Sequence, residues 1–160
     1  MGIRHDERLD ALEELYRTRL DAFVRVARAI VGERERARDA VQDGFAQAVR
    51  SIDRHRGDGT LEAWVWQIVV NAARKEARRA GRVEPLAAEA GIDSHDDERG
   101  AVRAMIAGLA ERQRQVVFLR YYADLDHAAI ADALGIRVGT VAATLNHAHA
   151  AIRTRLEATQ

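Results

Sequence analysis

Gln67, Asn71, Arg74, Lys75, Arg78, Arg79 and Arg82 form an amide-and-cation series that recurs at helical spacing. At 100° per residue these side chains fall within an arc of about 140°, and Val65, Val69, Val70, Ala72 and Ala73 take the remainder of the helix. Five cations on one face repel one another unless counter-charges or an anionic ligand lie close by. A phosphate backbone is such a ligand. The alternative is a solvated basic face at a helix C-terminus, where positive charge suits the macrodipole. Trp64 and Trp66 favour the first reading, because an aromatic ring at the edge of a basic, amide-bearing face stacks on unpaired bases. Helical spacing also puts Trp66 on the apolar side, so either indole can equally belong to a core.

A second constellation lies from Leu125 to Val141. It reads as a helix, a glycine turn and the start of another helix, the pattern of a helix-turn-helix. Ala131 is small where the two helices approach, Gly135 follows the last apolar residue where a positive φ is needed, and Val141 with Leu145 covers the core from the second helix. Such a unit lays its second helix in a DNA major groove, or serves as a packing or protein-binding element.

The elements that must position these groups are helical throughout. Leu9, Leu12, Leu15, Tyr16, Leu20, Phe23, Val24, Ala27, Ile30 and Val31 recur at three and four and predict a long first helix ending at Gly32. A second helix is predicted from about Arg34 to Ile52, with Ala37, Val41, Phe45, Ala48, Val49 and Ile52 as its buried stripe. Gly44 in its middle costs about 1 kcal/mol relative to alanine. The third helix, which carries the cations, starts near Leu61 with Thr60 as N-cap. From Gly81 to Gly100 the helical pattern breaks, with the only proline, Pro85, and the run Asp93-Ser94-His95-Asp96-Asp97-Glu98. We read this as a tether holding at most a short helix around Leu86 to Ala90; the alternative is a surface loop within one domain. The expected architecture is all-α: a helical domain at 1–82, a flexible acidic linker at 83–100, and a four-helix domain containing the helix-turn-helix at 101–160.

The chain has 160 residues, 25 basic and 25 acidic, and a formal net charge of zero. The signs are segregated, however: Phe45 to Arg82 is net positive and Glu84 to Glu111 is net negative, a basic surface followed by an acidic connector. No apolar run reaches membrane-spanning length, so no membrane insertion is expected. Met1 to Arg8 lacks the apolar segment of a signal peptide, and a cytoplasmic address follows. With no cysteine there is no thiolate metal site. His147 and His149 stand two apart on a helix and point about 160° away from each other, so no metal is expected; a proton on either would instead add positive charge to the last helix. No phosphate-cradling glycine loop or activated nucleophile appears, so neither an enzyme, a catalytic residue nor a cofactor is expected.

Two blocks carry a family resemblance. Arg38-Asp39-Ala40-Val41-Gln42-Asp43-Gly44-Phe45, with Ala63 to Arg74 and the arginines after it, resembles the second conserved region of the extracytoplasmic-function (ECF) sigma factors of bacterial RNA polymerase. Leu109 to Tyr122 with the helix-turn-helix resembles their fourth region. The match covers nearly the whole chain in the right order. It implies a dissociable specificity subunit that directs promoter recognition and melting. Asp39, Gln42 and Asp43 would dock on the β′ clamp helices of core RNA polymerase. Asn71, Arg74, Lys75, Arg78, Arg79 and Trp64, with the Asp58-Gly59-Thr60 loop, would recognise the −10 element of promoter DNA and hold a flipped base. The second domain would read the −35 element through Arg137, Thr140, Thr144, Asn146 and His147 and touch the β flap. The family also implies an anti-sigma factor as a regulatory partner.

The last helix departs from the family pattern. Ala142, Ala143, Thr144, Asn146, His147 and His149 stand where several cations are usual, leaving Arg137, Arg153 and Arg155 for backbone contacts. Each lost phosphate contact removes about one unit of salt dependence, so −35 binding is expected to be weak or unusual in preference. Ala110 where proline is usual, and Val49 where tryptophan is common, leave the fold intact. Two other readings stay open: a degenerate sigma-like regulator whose helix-turn-helix binds protein or an atypical DNA sequence, and a stand-alone helix-turn-helix regulator.

Overall fold

The computed structural model describes residues 4–81, 102 and 104–159, and among these all regular structure is helical. The first unit comprises α1 (His5–Val31), α2 (Arg34–Ser51), a 3₁₀ turn (Ile52–Arg54) and α3 (Leu61–Arg79); the second comprises α4 (Glu111–Tyr121), α5 (His127–Leu134) and α6 (Val138–Thr159). Arg82 and the expected short helix around Leu86 to Ala90 lie outside the described residues.

In the first unit α1, α2 and α3 pack mutually around an aromatic centre. Phe23 stacks on Trp66 with centroids 3.9 Å apart, and Phe45 meets Phe23 edge-on at 5.0 Å. Trp66 is fully buried and therefore core, not a platform for bases. Truncating it to alanine removes about 3–5 kcal/mol. Gly44 has a packing reason that offsets its helix cost. A Cβ there would stand 2.9 Å from Val69 Cγ2 and 3.0 Å from Val69 Cα, so its absence lets α2 and α3 approach backbone to backbone. One expected core residue is misplaced by sequence: Val49 is 50% exposed. Counting threes and fours from Asp39 gives Gln42, Ala46 and Val49, so Val49 belongs to the outer stripe of α2.

In the second unit the Gln113 side chain accepts from the Ala110 backbone N–H at 3.2 Å, opening α4 without a proline. The Asp126 carboxylate accepts from the Ala129 N–H at 2.8 Å and caps α5. Gly135 then sits at φ 64°, ψ 39°, the left-handed conformation that glycine adopts without penalty. α5 and α6 meet at a bend of 102°, within the range of helix-turn-helix units.

The two units share one continuous hydrophobic cluster. α3 lies against α5, and α1 against α4. Arg25 stands 5.3 Å above the Tyr122 ring, and Arg19 donates to the Ala123 carbonyl while facing Glu62 at 3.3 Å. Among the described residues no single helix is long and apolar enough to cross a membrane.

Candidate nucleic-acid interface

Thr60 fixes the start of α3, its hydroxyl accepting from the Ala63 N–H at 3.1 Å. From that origin Val65, Trp66, Val69, Val70, Ala73 and Ala77 turn into the core. Gln67, Asn71, Lys75, Arg78 and Arg79 face solvent, so the amide-and-cation arc is the outer face of the helix. Trp64 is half-buried at its edge, with its ring 5.3 Å from that of His55. The loop ahead of α3 is pinned by Arg8, whose Nη1 donates to the carbonyls of His55 (3.1 Å) and Ile52 (3.4 Å). It faces the second unit: a methyl on Gly59 would lie 3.8 Å from Asp132 Oδ2 on α5.

Arg74 differs from its neighbours. Its Nη2 donates at 2.9 Å to Oε1 of Gln115, which is 1% exposed, and Gln115 Nε2 donates at 2.9 Å to Glu111 Oε1. A cation of the amide-and-cation arc is thus held by the second unit. Burial, and after it the nearby Arg112, push the Arg74 guanidinium below its ordinary value; Glu111 pulls the other way and Arg78 adds to the depression. The Glu111–Gln115 pair at i, i+4 is visible in the sequence, but no spacing announces that α4, packed on α1, brings Gln115 within side-chain reach of Arg74, and so Gln115 and Arg112 were not among the expected site residues.

Asp39, Gln42 and Asp43 are exposed on α2, on the side away from Ala37, Val41 and Phe45. On α6, Arg137 just before it, Thr140, Asn146 and His147 are exposed. Two expectations there are corrected. Thr144 is only 9% exposed, and its hydroxyl donates to the Thr140 carbonyl at 2.7 Å, so it faces inward and has no free donor for a base edge. Arg155 donates to the carbonyls of Met105 and Gly108, both at 2.6 Å, which makes it a clasp on the preceding segment instead of a phosphate contact. His149 pairs with the Tyr121 hydroxyl at 2.8 Å.

A cationic helix face and a helix-turn-helix, on a chain whose regular structure is helical among the described residues, define a two-part DNA-binding protein. Residues 15–83 match Sigma-70 region 2, and residues 99–152 match Sigma-70, region 4. An RNA polymerase sigma-E factor of Streptomyces avermitilis is 34% identical over 160 residues, covering 96% of this chain and 88% of that one. The ECF RNA polymerase sigma-E factor of Escherichia coli (strain K12) is 29% identical over 139 residues, 74% and 73% of the two chains. The fold is also that of the sigma factor RpoE from Bartonella quintana, solved in complex with the anti-sigma factor NepR, with a TM-score of 0.75 over 94% of this chain and 99% of that one at 19% identity. CnrH, solved with the cytosolic domain of CnrY, gives 0.72 over 98% and 94% at 25% identity. The chain belongs to the ECF sigma factors of RNA polymerase, which direct transcription initiation at promoters.

Proposed function

We propose that this sigma factor divides its work between the two units, 1–82 for the polymerase clamp and the −10 element and 101–160 for the −35 element and the β flap, with 83–100 as linker. The observation that carries this reading is the α3 arc, in which Asn71, Lys75, Arg78 and Arg79 reach solvent while Val69, Val70, Ala73 and Ala77 are buried. Cations hold the strand by its phosphates, and the amide and the half-buried Trp64 meet a base pulled from the duplex. Asp39, Gln42 and Asp43 on α2 dock on the clamp helices. Arg137, Thr140, Asn146 and His147 meet the −35 duplex.

Arg74 reaches the strand only when Gln115 releases it, so engagement of promoter DNA requires the two units to part. A partner protein that holds them together would block the same step; the B. quintana RpoE, a protein of this fold, was solved in complex with an anti-sigma factor. The description as a stand-alone regulator accounts for neither the α2 stripe nor the α3 arc. Core polymerase reconstituted with the full chain should retain it on affinity capture and transcribe from the promoter upstream of its own gene. Binding of that promoter by the chain alone, with no association with core, would overturn the reading.

A further inference from the structure

The end of α3 and the first turn of α4 enclose an open cleft of about 720 Å³, and its charged lining is Arg74, Arg78, Arg112 and Glu111. Three guanidinium groups against one carboxylate leave a formal excess of two positive charges. Glu111 already accepts from Gln115, and among the described residues no salt bridge joins any of the four. Arg74 is held in place by Gln115 at 2.9 Å, so one donor fork is fixed at the cleft wall. Guanidinium forks match phosphate oxygens bidentately. The volume lies within the range of small-ligand sites, about 300–1,000 Å³.

We propose that this cleft binds a small phosphate-bearing anion of the pyrophosphate or nucleoside-diphosphate class, which bridges Arg74 and Arg78 of the first unit to Arg112 of the second. Such a ligand supplies counter-charge to the three guanidinium groups and pins the units together. It also occupies two cations proposed for the −10 strand. Only this last consequence rests on the promoter reading; the binding does not.

The test is calorimetric titration of the full chain, at fixed ionic strength, with inorganic pyrophosphate, ADP and adenosine. Both anions are expected to bind saturably and adenosine not at all. Arg112→Glu, a change at an exposed residue, should weaken pyrophosphate at least about tenfold, whereas Arg50→Glu, an equal charge change outside the cleft, should alter it by less than about twofold. Equal losses in the two variants would reduce the effect to overall charge, and no binding of either anion would end the proposal. If adenosine binds like ADP, phosphate is not what is recognised and the proposal fails. A single-stranded −10 oligonucleotide supplies the remaining arm: should Arg112→Glu weaken it as much as pyrophosphate, the cleft is part of the DNA track and not a separate site. None of these outcomes bears on whether the chain supports transcription with core polymerase, which is measured separately.

Discussion

α3 carries four cations between Arg74 and Arg79, whereas the exposed surface near the start of α6 offers Thr140, Ala143, Asn146 and His147 behind a single Arg137. Both helices are anchored in the core, one by the Phe23–Trp66 stack and the other by Val141 and Leu145. The contrast is therefore one of charge, not of scaffold. Phosphate neutralisation supplies most of the affinity for nucleic acid and all of its steep salt dependence. On the proposed reading the first unit supplies that affinity and the second local readout, while the second holds one of the first unit's cations through Gln115.

The strongest way to break this division acts on the first unit. Reversing Asp39 and Asp43 together to arginine inverts the charge of the face proposed to meet the clamp; capture of core polymerase and transcription should both fall by on the order of 100-fold, since losing charged contacts at an interface costs about 2–5 kcal/mol. Loss from the equivalent change of Arg137 and Asn146 instead would invert the comparison. A smaller effect of opposite sign is expected at the junction of the units. Gln115→Ala removes the acceptor that holds Arg74, at a cost to the closed arrangement of about 1–3 kcal/mol. Fluorescence anisotropy should then show the free chain binding a single-stranded −10 oligonucleotide more tightly, by roughly fivefold or more.

Adding charge to α6 sharpens the contrast from the other side. His147→Arg should strengthen binding of −35 duplex by the holoenzyme and steepen its dependence on log salt by about one unit. An unchanged slope would mean that this position does not face the backbone. Least of all should be seen at Thr144, where valine replaces a hydroxyl bonded to the Thr140 carbonyl. Base preference should be unaltered, and thermal unfolding should report a stability change of about 1 kcal/mol or less; a changed promoter preference would restore Thr144 to the DNA face.

Much of this was legible from the chain. The sequence places the end of α1 at Gly32 and the start of α3 near Leu61, where both stand, and Thr60 and Gly135 play the cap and turn roles their types imply. The amide-and-cation arc was visible because a helix puts i, i+3, i+4 and i+7 on one side whatever it packs against. What failed was anything set by the third dimension. Val49 sits at the border of two stripes, and only the position of α3 across Gly44 decides which one is covered. Thr144 and Arg155 have the right types for DNA contact, yet one turns inward to its own helix and the other reaches back to Met105 and Gly108, 50 and 47 positions away. Gln115 and Arg112 acquire meaning only because α4 lies against the first unit, an arrangement that neither block of sequence encodes locally.

The claim on which the rest depends is that α3 itself meets the melted strand. Permanganate reactivity of promoter thymines, measured with core polymerase and the Arg74→Glu, Arg78→Glu double variant, tests it directly. Two charge-assisted contacts at about 1.5–3 kcal/mol each predict a loss of open complex on the order of 100-fold or more, with core binding retained through α2. Thymines that stay reactive while core binding is intact would contradict the account.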